Sequence, residues 1–302
     1  MSTKSVLASA DPLEIVSQVA FHERRTPGNA DALSVTDKRE VENHLTHDSV
    51  TSDRATRSQQ PNVDVYLVGA GIIFPEQLTI ETVEILTLCK RIGTNLPETI
   101  LDGLPEDLRA KCVSLWSLYQ DGRIRTENYL DVFQAIVELT EIDTPVAWLT
   151  PGHPVIFDSV SASLLTEGKV RGWNVRVIPA ISSVDTMLAE LGYDPAHGML
   201  IHEATGLVRR RIPFVRSVAL MLLQPAVFDV NVAIIAGDSA GPDLSPLRDY
   251  LCEFHTPEHR CAFIRSASKL GERDLVTWTP LHDLASVPYD RVAGSTLFVP
   301  PA

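Results

Sequence analysis

From Val63 onward, short apolar runs alternate with stretches whose apolar positions recur every three or four residues. The first run, Val63-Asp-Val-Tyr-Leu-Val68, reads as a strand. It leads through Gly69-Ala-Gly71 into helical periodicity from Thr79 to about Arg91, carried by Ile80, Val83, Ile85, Leu86 and Leu88. A helical stretch around Pro97 to Leu108 follows, then Val113 to Tyr119 and a polar turn at Gln120-Asp-Gly122. A second helix starts at Thr126 or Asn128 and runs through Leu139, with Tyr129, Val132, Phe133, Ile136 and Val137 on its apolar side. Val146, Ala147, Trp148 and Leu149 form the next strand. After it come a helix from about Ser159 to Gly168, a strand Asn174–Ile178, and a helix Val184–Leu191 that the serines before it can cap. Strand–helix alternation of this kind marks a mostly parallel sheet.

From about residue 198 the pattern changes. Strand-like runs at Ser217–Leu223, Asn231–Ala236, Arg260–Ser266 and Ser295–Val299 are interleaved with few helices, one at Pro246–Glu253. The expected organisation is an α/β protein of two lobes. Residues 61–195 form a mostly parallel N-terminal α/β lobe and residues 196–302 a mixed α+β lobe, with the boundary near Tyr193 to Gly198. There is no internal repeat. Residues 1–60 make a poor core: Asp11–Phe21 can form one short amphipathic helix, and the stretch from Arg25 to Gln60 is polar and without aromatic residues. That extension reads as a disordered, solvated tail, with a docking segment for a partner as the alternative.

Composition narrows the function classes. A net charge of −13 opposes general affinity for nucleic acid or an anionic membrane, because both reward clustered Lys and Arg. No run reaches the roughly 18 apolar residues of a membrane span, and the N-terminus carries no apolar signal core. Four cysteines without framework spacing fit free thiols in a reducing cytoplasm, which is the expected location.

Gly69-Ala-Gly71 begins like a dinucleotide fingerprint, but Phe74 stands where the third glycine belongs, which disfavours a nicotinamide or flavin enzyme. Cys252, His255, His259 and Cys261 hold four potential metal ligands in ten residues. Pro257 interrupts any shared helix face, so a residue-rich turn is the expected reading and no metal is assigned. His153 with Ser182 or Ser183 lacks a nucleophile elbow and is not read as a hydrolase. The Pro151-Gly-His-Pro154 turn lies at the carboxyl end of a buried strand, where open α/β sheets place ligands. Tyr119 and Tyr129 flank Arg125 within eleven residues. A guanidinium near a phenol favours the phenolate, a combination suited to removing a proton from a weak acid and stabilising the anion. The alternative is a helix N-terminal region with packed rings and a solvated Arg.

Taken together, these segments resemble the S-adenosylmethionine-dependent tetrapyrrole (corrin/porphyrin) methylase superfamily. The resemblance rests on Val68-Gly-Ala-Gly71 with Leu78-Thr79, Pro151-Gly-His-Pro154 with Val155-Ile-Phe157, and Pro179-Ala-Ile-Ser-Ser183 followed by Leu191-Gly-Tyr-Asp-Pro195. It covers roughly residues 63 to 302 and implies two α/β lobes, a methyl donor between them, and a homodimer. Within the superfamily the chain is most similar to the borosin peptide backbone α-N-methyltransferases, through Gly-His-Pro at His153 and through the Tyr119, Arg125, Tyr129 spacing. His202-Glu-Ala-Thr205, Leu222-Leu-Gln224 and Ser295-Thr-Leu-Phe-Val-Pro-Pro301 add to it. The resemblance implies that Gly69, Gly152, His153, Ile156, Phe157, Ser182, Ser183, Gln224 and Thr296 hold S-adenosylmethionine, and that Tyr119, Arg125 and Tyr129 are catalytic.

Three positions depart from the family pattern. Ala180 replaces a glycine and is expected to narrow the space beside the donor; Pro151 replaces a tyrosine; and the chain stops one residue after Pro300-Pro301. The expected substrate is therefore a separate precursor peptide. A small metabolite or tetrapyrrole acceptor, and an inactive scaffold that keeps the fold, are the alternatives.

Overall fold

A computed structural model describes residues 62–234 and 241–302, and Val63–Ala302 form one compact unit. The expected N-terminal helix and tail lie outside the described residues. The unit holds two five-stranded sheets.

The first sheet is parallel throughout, in the order β3-β2-β4-β1-β5: β1 is Val65–Gly69, β2 Arg91–Thr94, β3 Cys112–Ser114, β4 Val146–Thr150 and β5 Val175–Ile178. Its strands β1 and β4 are buried at every position and nearly continuous in apolar residues because both faces are covered. Tyr66, Val68, Ala147 and Leu149 pack on one face against Ile85 and Leu86 of α1 (Ile80–Leu88). Val65, Leu67, Val146 and Trp148 pack on the other against α4 (Arg125–Ile142) and α5 (Ser159–Arg171). Thr79 caps α1, where the sequence placed its start.

The second sheet runs β6-β7-β10-β8-β9, with β6 (Met199–Glu203) and β7 (Ala219–Leu223) parallel. The remaining strands, β8 (Arg260–Arg265), β9 (Leu275–Pro280) and β10 (Thr296–Val299), pair antiparallel. One face packs on α7 (Ala204–Arg209) and α8 (Ser245–Cys252) through Leu207, Leu247, Tyr250 and Leu251. The other receives α6 (Ser183–Leu191), whose Val184 and Met187 are buried against Met221, Ile264 and Phe298. This helix leaves the first sheet and packs on the second, so it sets how the two sheets meet. Burial of such side chains stabilises by roughly 1.5–3 kcal/mol each.

Several elements differ from the sequence reading. β2 was not anticipated: Arg91-Ile-Gly-Thr94 is short and half polar, yet Gly93 is the only residue type that lets α4 lie so close, since a Cβ there would meet Ile136 Cδ1 at 2.2 Å. The stretch Pro97–Leu108 is two one-turn helices, α2 (Glu98–Leu101) and α3 (Glu106–Arg109), because Pro105 removes a helical donor between them. Val113–Tyr119 divides into β3 and a 3₁₀ turn at Trp116–Leu118. β6, α7 and β9 were likewise unread. Asn231–Ala236 was expected as a strand; among its described residues only a single bridge forms, Val232 with Ile124.

Candidate active site

Five loops leave the carboxyl ends of the parallel strands, and Tyr119, Gly152, His153, Ile156, Phe157 and Ser182 sit on them. The loops after β1 and β4 are tied together: Ala70 donates to the Thr150 carbonyl at 2.8 Å, and Gly71 and Gly152 exchange backbone hydrogen bonds. Gly69 lies beneath this junction. A Cβ on it would meet the Gly152 carbonyl at 2.3 Å, the Ala180 methyl at 2.5 Å and Pro154 Cδ at 2.9 Å. The loops after β4 and β5 thus converge on one hydrogen atom at the end of β1, which is why the position is glycine. Asp158 closes the β4 loop by accepting from Thr150 Oγ1 and capping α5 at Ser161 N.

A cleft of about 450 Å³ opens between the two lobes, within the usual range for a small-molecule site. Tyr119, Arg125, Asn128 and Tyr129 line it from one side, with Ile156, Phe157 and Ser183. Leu223, Gln224, Ala226, Val227, Ala233, Ile234 and Gly294 to Thr296 line it from the second lobe. Phe157 and Gln224 hold φ of 61° and 59°, a left-handed conformation that costs a non-glycine residue on the order of 1 kcal/mol.

Of the anticipated donor residues, Ile156, Phe157, Ser183, Gln224 and Thr296 line the cleft; Gly69, Gly152, His153 and Ser182 do not. Ser182 forms a reciprocal capping box with Asp185 at the start of α6. His153 accepts from Val155 N at 3.3 Å and shapes its own loop. Ala180 turns its methyl toward Gly69, so its expected narrowing falls on the loop junction and not on the cleft lining.

Tyr119 and Tyr129 come together edge to face, with ring centroids 6.1 Å apart. Asn95, directly after β2, donates through Nδ2 to the Tyr119 hydroxyl at 3.2 Å. Arg125 does lower the Tyr129 pKa as the sequence suggests, but burial outweighs it and the net shift of both phenols is upward. Burial pushes Tyr119 up to about 12, outweighing the Asn95 hydrogen bond, while Asp158 and Tyr129 raise it further. Burial also raises Tyr129, and the Arg125 charge offsets only part of that. Both phenols are therefore neutral near pH 7.

Arg125 is held by the second lobe. Its Nη1 donates to Gln224 Oε1 at 3.2 Å and its Nη2 to the Val230 carbonyl at 2.8 Å. Its backbone N–H donates to Asn231 O at 2.9 Å, beside the Ile124–Val232 bridge. Thr205 Oγ1 accepts from Asp229 N, which anchors the segment bearing that carbonyl. A guanidinium has five N–H donors, so these side-chain bonds leave others for a ligand.

Sequence reasoning missed Asn95, Asn128, and the lining from Ala226 to Ile234. Asn128 had the clearest signal, one residue before Tyr129; Asn95 had none, because β2 itself went unread.

The profile of the Tetrapyrrole (Corrin/Porphyrin) Methylases matches residues 64–285. A methyltransferase/ribosomally synthesized type II borosin cyclic peptide precursor from Phlebiopsis gigantea is 25% identical over 257 residues, covering 84% of this chain and 44% of that protein. The omphalotin A precursor methyltransferase from Omphalotus olearius is 23% identical over 252 residues, covering 82% and 60% respectively. The chain spans about half the length of the curated relatives it matches. Among solved structures, uroporphyrin-III-C-methyltransferase from Thermus thermophilus superposes with a TM-score of 0.53 at 20% identity, covering 78% of this chain and 93% of that one. That likeness is one of fold.

Proposed function

The chain belongs to the tetrapyrrole (corrin/porphyrin) methylase family, and from that premise we propose that it is a methyltransferase using S-adenosylmethionine to methylate backbone amide nitrogens of a separate peptide. The observation that carries this reading is that Tyr119, Arg125 and Tyr129 share one cleft with Ile156, Phe157, Ser183, Gln224 and Thr296. Relatives named as methyltransferase/ribosomally synthesized cyclic peptide precursors support the peptide acceptor.

The cleft fits the donor in size and in its mixed lining. Ile156, Phe157 and Leu223 offer apolar surface, and Ser183, Gln224, Ser295 and Thr296 offer hydrogen-bonding groups. When bound, the donor supplies an electrophilic methyl on a sulfonium: the methyl carbon–sulfur bond breaks, its electron pair returns to sulfur, and a carbon–nitrogen bond forms.

The chain's own work is on the acceptor. An amide nitrogen is a poor nucleophile because its lone pair is delocalised into the carbonyl. Tyr129, where the Arg125 charge opposes the upward push of burial, is the phenol assigned to proton removal; having released its proton to solvent, it takes the amide N–H proton. Arg125 turns a remaining N–H to the amide oxygen, where charge accumulates as the proton leaves. The lobes exclude water and align nitrogen with methyl. A homodimer and a cytoplasmic location complete the reading; exposed apolar residues such as Ile80 and Leu88 on α1 are available to an interface.

Transfer of labelled methyl groups to a hydrophobic test peptide, run beside a tetrapyrrole and a simple amine, tests the acceptor class. Label on the peptide supports the proposal. Label confined to the tetrapyrrole or the amine replaces it with the small-acceptor reading.

A further inference from the structure

Asn95 belongs to no motif, yet it makes the side-chain hydrogen bond that Tyr119 receives. Its backbone is unusually well fixed. The preceding Thr94 is fully buried and donates through Oγ1 to the Leu149 carbonyl at 2.8 Å. The same Oγ1 accepts from Leu96 N at 3.1 Å, and the Thr94 carbonyl accepts from Leu115 N at 2.8 Å. Asn95 therefore projects from the end of β2 at a point tied to β4 and to the segment after β3. Tyr119 closes the 3₁₀ turn that follows β3, and its ring packs against Trp116 and Tyr129. Packing against these two rings restricts the Tyr119 ring and with it the position of the oxygen that Asn95 reaches.

We infer that Asn95 is a positioning residue that fixes the hydrogen-bonding polarity of Tyr119. By donating Nδ2–H to the phenol oxygen it occupies one lone pair and leaves the single phenolic hydrogen to be given into the cleft. Tyr119 then serves as a donor to the acceptor's oxygen, and proton removal falls to Tyr129. The recipient oxygen rests on the methyl-transfer reading above; the control of Tyr119 by Asn95 does not. Burial of Tyr119, which keeps the phenol protonated, agrees with this polarity. Asn95 Oδ1 is buried without a partner among the described residues, so the reversed amide, which would take the phenolic hydrogen into Oδ1 and leave Tyr119 none to give, is the alternative that the Asn95→Asp variant tests.

Two readouts separate this inference from the function it serves. The first needs no acceptor. A fluorotyrosine placed at position 119, whose ring fluorine lowers the phenol pKa into a range the fold tolerates, is titrated by ¹⁹F NMR in the wild-type background and in Asn95→Leu and Asn95→Asp. Loss of the donated bond is expected to move the titration upward by about 0.5 to 1 in pKa for Asn95→Leu, and further for Asn95→Asp, which adds a negative charge. An unmoved titration in folded Asn95→Leu overturns the inference.

The second readout is a double-mutant cycle with a methyl-accepting peptide. Asn95→Leu is expected to lower kcat about tenfold with peptide KM little changed, and to have no further effect in a Tyr119→Phe background. An equal loss in both backgrounds means that Asn95 does not act through Tyr119 and overturns the inference. Asn95→Asp keeps shape and acceptor but removes the donor, so wild-type turnover in that variant overturns it as well. If no peptide is methylated by the wild type, the NMR titration still decides the Asn95–Tyr119 coupling on its own.

Discussion

Arg125 Nη1 donates to Gln224 Oε1 at 3.2 Å, joining the first residue of α4 to the residue that follows β7 in the other lobe. Gln224 is also in a left-handed conformation, so this bond helps hold a backbone that is intrinsically unfavourable. The residue assigned to the acceptor thus contacts one assigned to the donor. Arg125→Ala should therefore weaken S-adenosylhomocysteine binding by several-fold as well as lowering turnover about 100-fold or more. Calorimetric titration of the purified variant measures the first effect; unchanged affinity argues that the Gln224 contact plays no part in donor binding.

Tyr119→Phe removes one hydroxyl and leaves both ring contacts in place. Donor affinity should stay within about twofold, and methyl transfer to a peptide should fall about 100-fold. Parallel binding and single-turnover measurements distinguish this from Arg125→Ala, in which both quantities fall.

With both phenols raised, turnover limited by an ionised tyrosine should increase with pH. Below a pKa the phenolate fraction grows tenfold per pH unit, so log kcat should climb with a slope near 1 from about pH 7 until the Tyr129 pKa or the stability limit of the fold is reached. A flat profile over that range, with chemistry shown to be rate-limiting, would remove Tyr129 from the proton-transfer step.

Gly69→Ala should destabilise the fold without touching the cleft lining. The added methyl would sit 2.3 Å from the Gly152 carbonyl, a backbone atom with its own hydrogen-bond partner. Overpacking of this kind costs about 1–3 kcal/mol, so thermal denaturation should show a Tm lower by several degrees. A Tm equal to wild type would mean that the loops after β4 and β5 are free to separate.

How much of this was legible in the sequence follows from where the physical signal lay. Val65–Gly69 and Val146–Thr150 were readable because a parallel strand covered on both faces is a nearly continuous apolar run. Thr79 and Ser182 were readable as helix starts because a hydroxyl there satisfies an otherwise unpaired N–H. β2 was not, since its fourfold pattern of Arg, Ile, Gly and Thr has meaning only once α4 is laid across Gly93. The Tyr119–Arg125–Tyr129 spacing was visible, but its electrostatics were not. Sequence proximity suggested that the guanidinium would lower the phenol pKa, whereas burial, a property of the whole fold, dominates. Gly69 and Ser182 attracted attention as ligand contacts, and their local packing and capping roles appear only in three dimensions.

Acid should destabilise the second lobe through His255. Its ring is buried between Phe214 and His259, with stacking distances of 5.9 and 4.3 Å, and neither ring nitrogen has a partner among the described residues. Burial first, then the nearby His259 and Arg216, lowers its pKa from 6.5 to about 4. The unfolded chain takes up this proton before the folded one does. Its contribution to stability is thus full above about pH 6.5 and declines as pH falls toward 4, by at most about 1.4 kcal/mol per pH unit. Urea denaturation of His255→Phe should show a shallower loss across that window; identical pH dependence in wild type and variant would assign the acid sensitivity to other groups.

The central claim is methylation of peptide backbone nitrogen, and fragmentation mass spectrometry of candidate peptides co-expressed with this chain tests it most directly. Stepwise additions of one methyl mass, localised to backbone amides and lost in Arg125→Ala, are expected. Peptides without added mass, from cells in which the purified protein binds S-adenosylhomocysteine and methylates a small acceptor, would contradict it.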